Sequence, residues 1–178
     1  MVATFEITPL SLTPQTLGAL CEMMIEVVAN GGSVSFMHPL AASDAAAFWS
    51  RSLGAADAGK RVVRGAWVAG EIAGTVTLDL DMMPNQPHRA EIAKLMTRVS
   101  HRGRGIAAAL MRAAEAMALA RARTLLVLDT ATEGGAAGLY ERLGFRLTGE
   151  IPDYALKPHG GLTGTLIYWK RIGPATIG

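Results

Sequence analysis

Cysteine is almost missing from this chain. Cys21 stands alone, so no disulfide can close within the chain and a zinc site built on several cysteines is excluded. A lone cysteine can be a nucleophile, yet Cys21 lies in the apolar run Leu17-Gly18-Ala19-Leu20-Cys21 and reads as a small buried hydrophobe. Charge of one sign is lacking too. Lys and Arg number 17 against 15 Asp and Glu, and the net charge of +2 gives no broad basic field for nucleic acid. No apolar run approaches the ~20 residues that span a bilayer. The opening Met-Val-Ala-Thr-Phe-Glu holds neither a basic n-region nor an apolar h-region. The expected address is the cytoplasm, with no membrane partner. The histidines, at 38, 88, 101 and 159, show no ligand spacing, so no metal is expected. Aromatic residues are scarce at 6%, and nine methionines, flexible enough to fill irregular gaps, are read mainly as core.

Half of the 178 residues are apolar and 18% are charged, which suits one domain over residues 1–178 with a sizeable core. Residues 3–10 alternate as a strand. From 14 to 30, Leu17, Leu20, Met24, Val27 and Val28 recur at helical spacing, with Thr13-Pro14 as the start and Asn30-Gly31-Gly32 as the stop. A loop at 33–40 leads to a second helix at 43–53. Strands at 61–68 and 72–80 read as a hairpin, with Ile72, Gly74, Val76, Leu78 and Leu80 expected on one face. A strand at 90–98, a helix at 103–120, a strand through the apolar run 125–128 and a helix at 136–143 follow. Strands at 145–148 and 163–171 complete the chain. Antiparallel neighbours followed by a β-α-β unit predict an α/β (α+β) fold, with a mixed, mostly antiparallel central sheet flanked by helices.

The chemistry concentrates at Arg102-Gly103-Arg104-Gly105-Ile106-Ala107, between a strand and a helix. The glycines let backbone approach a ligand closely. The helix that opens here presents unpaired N–H groups and the positive end of its dipole. Arg102 and Arg104, with nearby Arg98 and His101, add cationic or donor capacity, and together these features describe a seat for a pyrophosphate. Gly103-x-Gly105-x-x-Ala108, with Asp129 about 20 residues on, also fits a dinucleotide fingerprint. That fingerprint follows its strand directly, however, and here Ser100-His101-Arg102 intervenes. Asp129 ends the apolar run at the C-terminal end of a buried strand, where α/β ligands bind. Partial burial is expected to raise its pKa toward that of a base, and capping of the next segment is the other role open to it.

The stretch from Leu95 to Met111 carries Arg102, Gly105 and Ala107 in the pattern Arg/Gln-x-x-Gly-x-Gly/Ala and resembles motif A of the GNAT acetyltransferases. Ala136-x-x-Leu139-Tyr140-Glu141-x-Leu143-Gly144-Phe145 resembles motif B. Segments 31–37, 89–96, 128–130 and 149–154 look more particularly like the tabtoxin-resistance type of that superfamily. The resemblance implies acetyl-CoA as cosubstrate. Its pyrophosphate would lie on Arg102, Gly103, Arg104, Gly105, Ile106 and Ala107, and its pantetheine arm along Leu95, Met96, Thr97 and beside Ala136. It implies direct transfer, in a ternary complex, to an amine of a small molecule such as an amino-acid-like or β-lactam toxin. Homodimers are frequent in the superfamily. Two other readings stay open: an acyl-CoA-binding sensor without turnover, and an acetyltransferase for peptide N-termini.

An amine attacks a thioester only as the neutral base, and the departing thiolate benefits from a proton. Tyr140 matches the motif B tyrosine that looks like the proton donor of the superfamily. Glu91 lies 11 residues before Arg102, where some members, including certain histone acetyltransferases, carry a catalytic Glu. By period two it is expected to share a face with Ala93 and Leu95, about 13 Å from Leu95 at ~3.3 Å per residue, so that a water relay is needed. Two positions depart from the family pattern. Val99 stands where many members have Pro, and Glu133 stands where motif B often has Asn, where an acid can instead face a substrate ammonium. Acceptor recognition is expected from Ser35 and Phe36 in one loop and from Asp153 and Tyr154 in another, at 152–154.

Overall fold

A computed structural model describes residues 4–174. Its elements in chain order are β1 (Glu6–Pro9), α1 (Pro14–Ala29), α2 (Ala42–Asp57), β2 (Arg61–Val68), β3 (Glu71–Asp79) and β4 (Arg89–Thr97). A single 3-10 turn (Val99–His101) then leads to α3 (Ile106–Leu119), β5 (Leu125–Ala131), α4 (Ala137–Arg142), β6 (Arg146–Leu156) and β7 (Leu162–Arg171). The element order matches the sequence reading. Residue 3 of the expected first strand lies outside the described residues, and β6 runs eleven residues where four were expected.

The strands form one sheet in the order β1-β2-β3-β4-β5-β7-β6. Among the described residues, β4 and β5 pair in parallel and the other neighbours are antiparallel. Helices cover both faces. On one, Leu20, Met23, Met24 and Val27 of α1 and Trp49 and Leu53 of α2 pack against Val63, Ile72 and Met96. On the other, Ile106, Leu110 and Met111 of α3 and Tyr140 of α4 pack against Val76, Ile92, Leu126 and Tyr168. Each large apolar side chain so buried contributes about 1.5–3 kcal/mol. Met23, Met24, Met96 and Met111 are all buried, and Cys21 is buried as well. None of the described helices is long and apolar enough to cross a membrane.

Local chemistry sets the ends of α1. The Thr13 hydroxyl accepts from the Thr16 N–H at 3.1 Å, Pro14 occupies the first turn, and Gly31 leaves the helix at φ 81°. Gly74 fixes how closely α3 approaches the sheet. A Cβ there would stand 2.9 Å from the Met96 carbonyl oxygen and 3.0 Å from Ile106 Cγ2, so a side chain would push α3 away.

Two bulges change which side chains share a face. Ala66 pairs with Gly74 and Trp67 with Ile72, which leaves Ala73 as an extra residue in β3. Ile72 therefore faces α1 and α2, while Val76 and Leu78 face α3, and the expected single face from Ile72 to Leu80 is corrected. In β4 the partners step from Thr77–Ala93 to Thr75–Met96, so one extra residue lies between Ala93 and Met96. Ala90 and Ile92 point to the α3 side and Met96 to the α1 side, although all three have even numbers. Glu91 and Leu95 consequently do not share a face, contrary to the unbroken period-two reading.

Candidate active site

The parallel pairing of β4 with β5 runs through Arg89–Leu125, Ala90–Leu126 and Glu91–Val127 and then stops. From Ile92 onward the β4 edge has no strand beside it, whereas β5 keeps its other edge on β7 as far as Ala131. The two strands part like a V, and a cavity of about 960 Å³ opens between them. Ile92 to Thr97 form one wall and Asp129 to Ala131 the other. Backbone N–H and C=O groups left without a ladder must find other partners. The bare β4 edge is therefore suited to an extended polar chain laid alongside it.

The start of α3 lies at one end of the cavity. Gly103 and Gly105 take φ values of 74° and 80°, and Gly105 is the N-cap of α3 with no side-chain capping bond. The first N–H groups of a 14-residue helix thus stay available, and the dipole favours an anion there. Arg102 and Ala107 line the cavity at this point. The Ile106 side chain is buried in the core, so only its backbone can serve a ligand, and the same holds for Met96. Arg104 is exposed beside the turn.

Arg98 is a correction. It does not face the anion seat but ties β4 to α1, donating to Glu26 Oε2 and the Ile72 carbonyl, each at 2.9 Å. Its remaining nitrogen lies 3.6 Å from Glu22 and donates to the Ala19 carbonyl at 3.4 Å. The second Glu26 oxygen accepts the Val99 N–H at 2.8 Å, which holds the turn leading into Arg102. His101 is engaged locally, with Nδ1 2.9 Å from the Ser100 hydroxyl. Arg98→Ala strips Glu26 of its guanidinium partner and is expected to lower unfolding free energy by about 1.5–3 kcal/mol, the range of one hydrogen bond to a charged group. Urea denaturation measures this, and a change under about 0.5 kcal/mol, typical of an exposed pair, contradicts the assignment.

Tyr140 and Ala136 reach the cavity from α4 and the segment before it. The Tyr140 ring is 6% exposed and packs on Tyr168 and Phe145, with centroids 5.8 and 6.1 Å away. Burial, then the Asp129 carboxylate, pushes its phenol up to about 12, a hydrogen bond with Thr130 opposes this, and Tyr168 adds to it. Tyr140 therefore keeps its proton through the physiological range. Native and Tyr140→Phe proteins are expected to develop equal tyrosinate absorbance up to about pH 11, one unit below that value. An excess in the native protein near pH 10 contradicts it.

Asp129 is exposed to the cavity rather than partly buried, and it accepts the Thr165 hydroxyl at 3.1 Å. Glu91 lies outside the cavity lining, with its carboxylate 3.6 Å from the Arg89 guanidinium. Glu133 does line the cavity, where it pairs with Lys157 at 3.1 Å. Of the three acids weighed from sequence, Asp129 and Glu133 are brought into the cavity and Glu91 is not.

The remaining wall comes from the α1–α2 loop and the β6–β7 hairpin. Ser35, Phe36 and Tyr154 line the cavity, while Asp153 does not. Phe36 meets Phe48 edge-on at 5.4 Å. The expected loop at 152–154 is a bulge within β6, where four steps from Ile151 to Ala155 face two from Thr165 to Thr163. The two segments hold each other. His38 N–H donates to the Pro158 carbonyl at 2.8 Å, and His159 Nε2 donates to the Ala29 carbonyl at 3.0 Å.

The sequence reading gave no role to Lys94, which sits in the β4 bulge at φ 50° and lines the cavity. Burial pushes its ammonium below the usual lysine range, Asp129 opposes that, and Arg61 adds to it. Thr130, bonded to Tyr140, was also missed. A charged residue inside an apolar strand was the available signal for Lys94.

The model of the acetyltransferase (GNAT) family matches residues 33–145. A putative acetyltransferase from Acinetobacter baylyi ADP1 superposes with a TM-score of 0.80 at 18% identity, over 100% of this chain and 99% of that one. A putative acetyltransferase from Salmonella typhimurium, solved with its cofactor acetyl-CoA, gives 0.77 at 14% identity and covers 96% of both chains. A putative phosphinothricin N-acetyltransferase gives 0.76 at 17% identity, over 94% of this chain and 99% of that one. At such identities the likeness to the solved structures speaks for the fold alone.

Proposed function

Because the chain belongs to the GNAT acetyltransferase family, which uses acetyl-CoA as cosubstrate, we propose that it acetylates the amine of a small molecule by direct attack in a ternary complex. One observation carries this reading. A single cavity joins the uncapped start of α3, the bare β4 edge and Tyr140 to a separate wall from Ser35, Phe36 and Tyr154. A donor seat and an acceptor wall facing each other hold two reactants in one frame, which removes much of the entropic part of the barrier.

Acetyl-CoA supplies the acyl group as a thioester. The N–H groups opening α3 and the Arg102 guanidinium hold its pyrophosphate, and the backbone of Leu95, Met96 and Thr97 guides the pantetheine arm. Tyr140 holds a proton for the departing sulfur. Asp129 receives the proton of the acceptor ammonium, a role its place in the cavity favours over Glu91, which works only through a water relay. The likeness of segments 31–37 and 149–154 to the tabtoxin-resistance type supports an amino-acid-like acceptor. Strand β6, exposed along its whole length at the sheet edge, offers unpaired backbone to a second copy and supports a homodimer.

Thiol release from acetyl-CoA with a panel of small amines and peptides tests the reading. Release above the hydrolysis background with free amino acids is expected. Background rates with every amine favour an acyl-CoA sensor, and preference for peptides favours an N-terminal acetyltransferase.

A further inference from the structure

Three cationic side chains line the cavity: Lys94, Arg102 and Lys157. Arg102 stands at the entrance to α3, and Lys157 is paired with Glu133 at 3.1 Å. Lys94 takes part in none of the ion pairs found among the described residues. Its contacts are neutral. Nζ donates to Ser35 Oγ at 2.9 Å and stands 5.5 Å from the centre of the Phe48 ring. The ammonium is thus held in a partly apolar corner of the acceptor wall with no carboxylate in contact, and the Asp129 charge acts on it only from across the cavity. This arrangement leaves a direct contact to be made by an anionic ligand.

The backbone is arranged for this placement. In an unbulged strand Lys94 would share the face of Ala90 and Ile92, among the apolar side chains packed under α3. The bulge swings it to the α1–α2 side and into the cavity. The cost is a left-handed conformation at φ 50°, about 1–2 kcal/mol for a residue with a Cβ. Ser35, its hydrogen-bond partner, is also left-handed, at φ 73°. Two strained residues from distant segments meet at one hydrogen bond, and strain of this kind gathers where a ligand is held.

We infer that Lys94, steered by Ser35, docks an acidic group of the acetyl acceptor, so that amines bearing a neighbouring carboxylate are chosen over neutral ones. The inference rests on the acetyl-transfer reading above. Asp129 on the opposite wall attracts the acceptor ammonium, so the two side chains together suit a zwitterion. A purely structural Lys94, clamping the α1–α2 loop on Phe48, would change stability and leave the choice of acceptor alone.

The test compares kcat/KM for leucine, methionine and phenylalanine with that for their α-carboxamides, in native protein and in Lys94→Met, Lys94→Arg and Ser35→Ala. Amidation also lowers the pKa of the amine, so the quantity read is the change in the acid-to-amide ratio between proteins. Lys94→Met is expected to lower that ratio on the order of 10- to 100-fold, as befits one charge-assisted hydrogen bond. Lys94→Arg keeps most of it, and Ser35→Ala loses several-fold. Calorimetric binding of CoA reports that each variant is folded. If Lys94→Met does not bind CoA, the ratio in Ser35→Ala decides, and an unchanged ratio there overturns the inference. An unchanged ratio in a folded Lys94→Met overturns it while leaving acetyl transfer intact. Failure of the native protein to acetylate any amine overturns both.

Discussion

Tyr140→Phe is expected to lower turnover on the order of 10²-fold, the lower end of what a positioned acid contributes. Acetyl-CoA affinity should stay within a factor of about three, because an interaction made mainly in the transition state affects kcat more than binding. The ring stays packed on Phe145 and Tyr168, so little stability is at stake. A phenol at about 12 is a weaker acid than a thiol. In the proposed reaction it therefore steadies the departing sulfur first by a held hydrogen bond. Asp129 weakens this donor while it is charged, since its charge is one cause of the high value. In that proposed reaction, uptake of the acceptor's proton by Asp129 removes that cause and makes Tyr140 a stronger acid. Steady-state kinetics with calorimetry measures both quantities, and lost affinity with unchanged turnover contradicts the acid role.

Gly105→Val should weaken acetyl-CoA binding by on the order of 10²-fold or more, through backbone strain and lost charged hydrogen bonds. No protein atom lies within 4 Å of a Cβ built at Gly105, so packing within the chain is not the obstacle. The obstacle is φ 80°, a left-handed conformation that a β-branched residue adopts poorly, together with methyl groups that would stand in the proposed phosphate seat. Gly105→Ala should show a smaller loss. Titration calorimetry separates the two variants, and native affinity in Gly105→Val would mean that the pyrophosphate lies elsewhere.

What was legible in the sequence was local. The glycines at 103 and 105, followed by helical periodicity, mark an uncapped helix start, and Thr13-Pro14 marks another helix start. Each signal is complete within a few residues. The features that escaped depend on partners far along the chain. Arg98 counts as a free cation until Glu26, 72 positions away, is placed against it. The bulges at Ala73 and in β4 exist only relative to their neighbouring strands, so unbroken alternation misplaced Ile72 and the pair Glu91 and Leu95. The same bulge hid Lys94. Asp129 read as partly buried because four apolar residues precede it, but β4 departs after Val127 and leaves that end of β5 open. Pro152 suggested a loop, yet an edge strand tolerates proline, and β6 lies at the sheet edge.

Titration calorimetry of the native chain with CoA and acetyl-CoA tests the account most directly. Saturable binding of both is predicted, with acetyl-CoA binding abolished or strongly weakened in Gly105→Val. Heats that never saturate up to millimolar ligand would remove the cofactor seat at α3, and the proposed reaction with it.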